Sequence, residues 1–208
     1  MKNVNGIWLP DHEEHLTHYA KNGAYGKWTY QAHKMIDALN YVKGCKQAVD
    51  IGGHCGLWSK ELVKMFDEVI AFEPVEEHRE CFTRNVGPNY HLHPVALGEK
   101  PGSIRIHKTE GSSGDSWVEG SGDIPMHTLD SYKLSPDFIK LDCEGYEYYA
   151  LKGGEETLLR CKPVVIVEQK PGKAQQFGLE ETQAVTYLQS LGAKLRKEVV
   201  GDFILSWE

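Results

Sequence analysis

Residues 50–56 have the sequence Asp-Ile-Gly-Gly-His-Cys-Gly, and this stretch decides the fold. It closes an apolar run, 47–51, that predicts a short buried strand, and it precedes 57–66, where apolar residues recur at helical spacing. Glycines let the backbone turn with positive φ and come close to a ligand. A strand, a glycine turn and a helix in this order are typical of a nucleotide-like site, although a tight turn without a ligand has the same pattern.

Apolar runs alternate with amphipathic stretches along the rest of the chain, which predicts a mostly parallel sheet covered by helices on both faces. The predicted strands are 47–51, 69–73, 91–95, 138–142, 163–168, 193–200 and 203–207, with an exposed strand at 103–107. The predicted helices are 57–66, 75–86, 144–159 and 182–191. Gly201-Asp202 predicts a hairpin between the last two strands. We therefore expect an α/β fold with a doubly wound, mostly parallel seven-stranded sheet and a C-terminal antiparallel hairpin.

The length of 208 residues is typical of one domain. We expect an N-terminal helical or lid segment at 1–46, followed by a Rossmann-like core at 47–208. The core contains an insertion at about 102–127, of which 109–123 is rich in Gly and Ser. Apolar residues of the N-terminal segment are expected to cover the ligand end of the sheet, or else to pack as a helix on its side: Tyr25, Trp28, Tyr30, Ile36, Leu39 and Tyr41.

Composition limits the partners that we expect. The net charge is −7 and the 23 Lys and Arg residues are scattered, which disfavours nucleic acid as a substrate. The five cysteines contain no C-x-x-C pair, so neither a disulfide framework nor a zinc ribbon is indicated. No apolar run approaches the roughly 20 residues that span a bilayer, and no signal peptide is evident. The expected location is the cytoplasm, without a membrane partner.

A second acid, Glu73, ends the next predicted strand 23 residues after Asp50 and precedes Pro74. A carboxylate at this place accepts hydrogen bonds from the ribose of adenosine cofactors, although it could instead cap the following helix. We expect Asp50 to hold a ligand ammonium group, free amides after the glycine turn to face a ligand carboxylate, and the backbone near Ala96 to contact adenine. A dehydrogenase would have glycine at positions 54 and 57, so NAD is disfavoured.

Two further acids lie at the end of the predicted strand 138–142: Asp142 is its last residue and Glu144 follows it. Glu168 ends the strand beside it. Ligands of open α/β sheets sit at such strand ends, so these acids are the candidates for catalysis. Glu144 and Glu168 rank equally as general base, with His127 as another candidate. The three acids could instead bind a divalent metal or only hydrogen-bond the substrate; we do not favour the metal.

Four blocks of the chain closely resemble the FkbM family of methyltransferases: residues 50–56, 72–74 and 128–130, and residues 139–147 with the Leu-Lys-Gly-Gly sequence at 151–154. The resemblance implies a class I methyltransferase fold, S-adenosylmethionine as cofactor, and O-methylation of a hydroxyl on a small molecule or sugar. The family commonly has Ala-Asn where this chain has Gly53-His54. N-methylation of a small amine and a catalytically silent cofactor-binding module are the alternatives.

The expected cofactor-binding residues are Asp50, Gly52, Gly53, His54, Gly56, Glu73, Pro74, Ala96 and Asp142, and the expected catalytic residues are Glu144, Glu168 and Asp142. The acceptor is expected to be a small molecule or glycan. Polar and aromatic residues of the insertion suit a hydroxylated acceptor, although an ordinary flexible loop has the same composition: Ser112, Ser113, Asp115, Ser116 and Trp117.

Overall fold

The structure is a computed structural model that describes residues 1–21, 30–109 and 111–207. The strands are β1 Lys2–Val4, β2 Ile7–Leu9, β3 Gln47–Ile51, β4 Glu68–Phe72, β5 Tyr90–His93, β6 Ala96–Leu97, β7 Gly102–His107, β8 Trp117–His127, β9 Phe138–Leu141, β10 Val164–Glu168, β11 Lys194–Val199 and β12 Asp202–Ser206. The helices are α1 His15–Lys21, α2 Ala32–Leu39, α3 Ser59–Leu62, α4 Glu76–Asn85, α5 Glu147–Lys152, α6 Glu155–Cys161 and α7 Gln183–Ser190. Short 3-10 turns occur at Ser113–Asp115, Leu129–Tyr132 and Ala174–Phe177.

The main sheet has seven strands in the order β5-β4-β3-β9-β10-β12-β11. The strands from β5 to β10 are parallel, whereas β12 runs antiparallel to β10 and to β11. This arrangement confirms the predicted doubly wound sheet and its C-terminal hairpin. Because the chain winds in one direction from β3 to β4 and in the other to β9, a crevice opens at the carboxyl ends of these strands.

Each central strand contributes to both faces of the sheet. On one face, Val49 and Ile51 of β3 pack with apolar residues of α5, α6 and α7. On the other, Ala48 packs with Phe138 and with Trp58 next to α3, together with α2. Side chains alternate along a strand, so Asp50 shares this second face, as does its register partner Lys140. Asp50 and Lys140 therefore form a buried charged pair under α3. The apolar pattern alone would assign this face of the sheet to the hydrophobic core.

The insertion is more regular than we expected. Residues 109–123 were predicted as a Gly- and Ser-rich loop or lid, but β8 begins at Trp117 and pairs with β6 and β7 in a three-stranded sheet. The register of the β7–β8 pair shifts on both sides of Arg105. Glycine is needed at position 122 beside this irregularity, because a Cβ atom would lie 2.7 Å from the carbonyl oxygen of Ile104. Residues 111–116, which precede β8, lie over the crevice, and we call them the closing loop.

The predicted helix 144–159 is wrong as a continuous element, because it is divided into α5 and α6 at Gly153-Gly154. A Cβ atom on Gly153 would lie 2.0 Å from the carbonyl oxygen of Gly98, so the chain passes against the β6 segment here. Asp130 then starts the second helix by accepting hydrogen bonds from the amides of Glu156 and Thr157. The helix predicted at 57–66 is likewise shorter and is confined to α3.

The predicted third strand, 91–95, is also divided. Its first part is β5 of the main sheet, whereas β6 leaves that sheet to pair with β8. The chain thus passes from one sheet to the other between His93 and Ala96. This switch places the backbone of β6 beside the crevice.

The N-terminal segment begins with a β1–β2 hairpin, which was not predicted. The side chain of Asn85 on α4 anchors it through hydrogen bonds of 2.8 Å with both the amide and the carbonyl of Trp8. In contrast, α2 packs as a helix on the side of the sheet, which was one of the two interpretations of this segment. The other interpretation, that the segment covers the ligand end of the sheet, applies to other parts of it. Ile36 and Tyr41 are exposed, Leu39 packs into the core, and Tyr25 and Trp28 lie outside the described residues.

Within the ranges that the structure describes, none of the helices combines the length and the apolar character that crossing a membrane requires.

Candidate active site

A cavity of about 190 Å³ lies at the carboxyl ends of β3, β4 and β9. The sheet side of its wall includes eight of the residues that the sequence predicted for the site: Gly52, Gly53, His54, Glu73, Pro74, Ala96, Asp142 and Glu144. The closing loop and residues of the N-terminal segment complete the wall. Residues from distant parts of the chain thus enclose one cavity at the predicted strand ends.

The glycine turn after β3 is held by the neighbouring strands. Gly52 has a φ of 77°, and a Cβ atom on it would lie 1.9 Å from the carbonyl oxygen of Asp142. The amides of Gly52 and Gly53 both donate to the carbonyl of Phe72, at 3.0 and 3.1 Å. The amides of these two glycines are therefore used within the sheet, and the predicted free amides are those of the helix that follows the turn.

Gly56 does not line the cavity. Its φ is 80°, and a Cβ atom would lie 2.5 Å from Cγ2 of Val86, at the end of α4. Glycine at this position thus lets the turn approach α4. The residue supports the cavity wall from behind rather than forming it.

Glu73 has a side chain that is only 6% exposed, and it accepts three hydrogen bonds. The donors are the amide of His54 at 2.8 Å, the amide of Val75 at 2.8 Å and Nδ1 of His78 at 3.2 Å. Burial alone would raise the pKa of Glu73, but its interactions with His78 and His54 and the amide of Val75 lower it below the ordinary value. The site therefore keeps an ionised carboxylate at the wall of the cavity, bonded to the amide that precedes α4.

His54 adopts a φ of 46° and joins the turn to the closing loop. Its Nε2 atom lies 2.8 Å from Oγ of Ser113, and its ring packs edge-on against His78 with centroids 4.4 Å apart. Burial and then the neighbouring His78 lower the pKa of His54 to about 3. The ring is therefore neutral near pH 7 and can donate or accept a hydrogen bond.

Glu13 of the N-terminal segment holds the same serine of the closing loop. Its carboxylate accepts hydrogen bonds from the amide of Ser113 at 2.6 Å and from Oγ of Ser113, and the amide of Glu14 donates to the carbonyl of Gly111 at 3.1 Å. The buried Glu13 was not predicted from sequence, since a solvated polar stretch has the same residue types. The N-terminal segment and the closing loop therefore form one joined cover.

Asp50 lies behind the wall instead of facing the cavity. Strand alternation turns its side chain toward α3, where Oγ of Ser59 donates to it at 2.6 Å and Nζ of Lys140 lies 3.3 Å away. Lys140 also donates to the carbonyl of Gly52 at 2.8 Å and lies 4.0 Å from Asp142. Asp50 thus acts through Lys140, which supports the glycine turn and the next acid.

Lys140 is a residue that the sequence analysis missed, although a signal was present. It stands inside the apolar run Phe138–Leu141, and a lysine is almost never fully buried without a partner. Burial lowers the pKa of Lys140, but Asp50 and Asp142 outweigh that effect and raise it above the ordinary value. The lysine is therefore charged within the sheet.

Three acids meet beside the cavity, as predicted. Atoms of Asp142, Glu144 and Glu168 all lie within 4.8 Å of one another. Asp142 and Glu144 line the cavity, whereas Glu168 is placed behind them. His127, the other predicted base, is exposed and pairs with the hydroxyl of Tyr132 at 2.8 Å, away from the cavity wall.

Two lysines that follow β10 neutralise this acid cluster. Nζ of Lys170 lies 2.7 Å from Glu168 and 3.7 Å from Glu144. Nζ of Lys173 lies 2.7 Å from Oε2 of Glu144 and 3.0 Å from Asp115 of the closing loop. These ammonium groups lie beside the carboxylates and balance part of their negative charge.

The acids of the cluster differ in pKa because their surroundings differ. Burial and then repulsion from Asp142 raise the pKa of Glu168 to about 9. The same two causes raise the pKa of Glu144 above its ordinary value. Asp142 is different: burial would raise its pKa, but Lys140 and Lys170 outweigh burial and lower it. Near pH 7, Glu168 is therefore protonated and Asp142 is ionised.

The turn that carries Glu144 is constrained. Glu144 has a φ of 53° and Gly145 a φ of 103°. The buried carboxylate of Glu147 accepts hydrogen bonds from the amides of Cys143 and Gly145, at 2.7 and 3.0 Å. A side chain held in an uncommon backbone conformation by its surroundings is characteristic of a functional position.

A family model described as the Methyltransferase FkbM domain matches residues 50–195. The chain belongs to this family. The residues that match the FkbM model include the glycine turn, Glu73 and the acid cluster, whereas Glu13 and Tyr30 of the cavity wall precede them. No curated protein sequence matches the chain.

Solved structures with the same fold include a methyltransferase FkbM from Methylobacillus flagellatus KT, with 18% identity and a TM-score of 0.54. The match covers 86% of this chain and 46% of that one, so this chain spans less than half of its length. An rRNA methylase from Streptococcus thermophilus has 13% identity and a TM-score of 0.52, over 85% of this chain and 95% of that one. At these identities the similarity shows the class I methyltransferase fold and no more.

Proposed function

We propose that this protein is an S-adenosylmethionine-dependent methyltransferase that transfers a methyl group to a hydroxyl of a small molecule or sugar. The observation that carries the proposal is the placement of Glu73 and the pair Asp142–Glu144 on the wall of one cavity. The first carboxylate suits the cofactor's ribose, and the pair lies where an acceptor would meet the methyl group. Membership of the FkbM family supports the same reaction class.

The residues of the cavity fit this cofactor. Glu73 is ionised and buried, and its Oε2 atom accepts one hydrogen bond from the chain, which leaves it able to accept another from a ribose hydroxyl. Ala96 is small and leaves the backbone of β6 accessible for adenine. Asp142 takes the role first expected of Asp50, since it is ionised, lines the cavity and can accept a hydrogen bond from the cofactor's ammonium group.

When bound, S-adenosylmethionine supplies an electrophilic methyl group on a sulfonium. The chain's own contribution is to hold the acceptor in line with that group, to exclude water and to remove the hydroxyl proton. Glu144 is the proposed general base, because it lines the cavity and burial makes its carboxylate more basic than an exposed one. Glu168 is not suited to this step, since its raised pKa keeps it protonated near neutral pH.

The charge balance of the acid cluster favours a neutral acceptor over a cationic one. Lys140, Lys170 and Lys173 lie within 4.0 Å of acids in the cluster, so little net negative charge is left to attract an ammonium group. A hydroxyl needs no such charge. The closing loop adds Ser112 and Ser116 to the wall. Their hydroxyls donate within the loop but can still accept a hydrogen bond, which suits a sugar or another hydroxylated metabolite.

Isothermal titration tests cofactor binding. We expect S-adenosylmethionine and S-adenosylhomocysteine to bind the native chain, and Glu73→Gln to weaken both by about tenfold or more, since a charge-assisted hydrogen bond is lost. Glu68→Gln, at the start of the strand that precedes Glu73, is the control, because Glu68 is partly exposed and is not part of the cavity wall. Failure of both ligands to bind the native chain at millimolar concentration contradicts the proposal.

A screen of hydroxylated metabolites and glycans for S-adenosylhomocysteine release then identifies the acceptor. With a deuterated methyl donor, NMR of the product shows whether oxygen or nitrogen carries the new methyl group. A methylated nitrogen would replace O-methylation by N-methylation. Cofactor binding without turnover on any acceptor would favour a silent binding module.

A further inference from the structure

The closing loop is attached at two places to opposite sides of the cavity. Ser113 contacts Glu13 and His54 on the side of Glu73. Asp115, two residues later, contacts Lys173 at 3.0 Å on the side of the acid cluster. Oγ of Ser112 donates to Asp115 at 2.6 Å and Oγ of Ser116 to the carbonyl of Ser113 at 2.9 Å, so the loop is bonded within itself. A displacement of the loop therefore affects both attachments.

Lys173 stands between the closing loop and the proposed base. Its single ammonium group lies 2.7 Å from Oε2 of Glu144 and 3.0 Å from Oδ1 of Asp115. That oxygen of Glu144 is buried and makes no hydrogen bond of normal geometry. The other cation near Glu144 is Lys170, 3.7 Å from the opposite oxygen. Lys173 is thus the cation nearest to Glu144 among the described residues.

The backbone of Lys173 is fixed against the turn that carries Glu144. A Cβ atom on Gly145 would lie 2.4 Å from the carbonyl oxygen of Lys173, and the side chain of Gln176 donates to the carbonyl of Glu144 at 3.0 Å. This turn and the segment 170–176 therefore pack as one unit. The lysine side chain is what extends from that unit to the closing loop.

From this arrangement we propose that Lys173 is a positioning residue that couples docking of the closing loop to the orientation of the Glu144 carboxylate. The inference rests on the proposed function, in which Glu144 is the general base. With the loop docked, Lys173 is shared between two carboxylates and holds Glu144 toward the cavity. With the loop open, the lysine loses its contact with Asp115, and the base is no longer held in the same way. Access for the acceptor and alignment of the base are then one event.

Hydrogen exchange of the protein without cofactor tests the coupling, because no acceptor is needed. The variants are Lys173→Met, Lys173→Arg and Asp115→Asn, and the two regions followed are 111–116 and 143–146. Asp115 is linked to the second region through Lys173, which contacts both Asp115 and Glu144. We expect Asp115→Asn to speed exchange in both regions, on the order of tenfold, and Lys173→Met to do the same. The double variant Lys173→Met/Asp115→Asn should exchange in region 143–146 at nearly the same rate as Lys173→Met alone. Lys173→Arg should restore most of the protection, since it keeps the charge.

Lys152→Met is the matched control. Lys152 pairs with Glu99 at 2.7 Å, has a side chain that is 33% exposed against 27% for Lys173, and is not part of the cavity wall. We expect this variant to leave exchange in both regions unchanged. If Asp115→Asn speeds exchange in 111–116 only, or if Lys173→Arg restores nothing, the coupling is refuted.

Titration with S-adenosylhomocysteine separates this inference from the proposed function. We expect Lys173→Met to bind it within about twofold of the native affinity, since Lys173 is placed on the acceptor side. Native protein that does not bind this ligand refutes the proposed function and leaves the exchange result as the measure of the coupling. If the native protein binds this ligand but Lys173→Met leaves hydrogen exchange unchanged, the coupling is refuted and the proposed function is not.

Discussion

Glu144 and Glu168 have the same side chain and opposite expected roles, because their surroundings differ. Glu144 lines the cavity at the end of a strained turn, whereas Glu168 lies behind it and interacts with Asp142 and Lys170. The two acids rank equally by sequence, because both lie at the ends of neighbouring strands. Distance to the cavity and protonation state separate them.

Replacing Glu144 with Gln removes the proposed base, so we expect kcat to fall by about 10²-fold or more while S-adenosylhomocysteine still binds. Glu168→Gln should keep most of the activity near pH 7, since an amide resembles the protonated acid that is already present there. Rates of S-adenosylhomocysteine release measure both. Equal losses in the two variants would contradict the assignment of the base.

Glu168 also makes stability depend on pH. Its ordinary pKa is 4.5 and its value in the folded protein is about 9, so the proton stabilises the fold fully below the first value and progressively less up to the second. From about pH 7.5 to 8.5 we expect the free energy of unfolding to fall, by at most about 1.4 kcal/mol per pH unit. Burial also raises the pKa of Glu147, to about 7. The window from pH 7.5 to 8.5 lies above that value, so the change expected within it is assigned to Glu168. Urea unfolding of Glu168→Gln should show a smaller slope, and an equal slope in both proteins would count against the raised pKa.

At the scale of elements, the break between α5 and α6 depends on Gly153. Its φ is not positive, so the requirement for glycine is the approach of Gly98, whose carbonyl oxygen would lie 2.0 Å from a Cβ atom. We expect Gly153→Ala to lower the free energy of unfolding by about 1–3 kcal/mol, because the backbone must shift. Gly87→Ala is the control, as no atom lies within 4 Å of a Cβ there. Chemical denaturation compares the two, and similar stabilities would contradict the steric explanation.

Local pattern predicted the elements well where it was strong and failed where other elements decide. The strand β10 follows from four consecutive apolar residues ahead of Glu168, and β3 follows from Ala48, Val49 and Ile51 before the glycine turn. The helix 144–159 was predicted as one element although Gly153-Gly154 lies within it. The break becomes necessary only when β6 lies against that point. Similarly, β8 is stabilised by packing of Met126 on Ile104, which its Gly- and Ser-rich beginning does not indicate.

At the scale of the whole molecule, a buried ion pair joins the N-terminal helix α2 to the C-terminal hairpin. Lys34 of α2 pairs with Asp202 of β12, and both side chains are 8% exposed. Lys34→Met leaves the carboxylate of Asp202 buried without its partner, so we expect a loss of about 3–5 kcal/mol in the free energy of unfolding. Combining it with Asp202→Asn should recover part of the loss.

Lys197→Met is the control for that prediction. Lys197 of β11 pairs with Asp37 of α2 at 2.7 Å, and its side chain is 47% exposed. An exposed pair contributes only about 0–1 kcal/mol, so this variant should unfold almost as the native protein does. Losses of equal size in the two single variants would show that the buried pair has no special role.

The sequence by itself determined the sheet, its terminal hairpin, the glycine turn and the acids at the strand ends. These features depend on short-range patterns of apolar, glycine and acidic residues, which fix strand direction and the place where each strand ends. Only the tertiary structure decided which of those residues face the cavity. It turned Asp50 toward Lys140 and Ser59, placed Glu168 behind Glu144, and brought Glu13 and Lys173 to the closing loop. Side-chain direction, burial and charge compensation arise from contacts between residues that are distant in the chain. The glycine turn forms part of a cavity wall because those contacts bring the N-terminal segment and the closing loop opposite it.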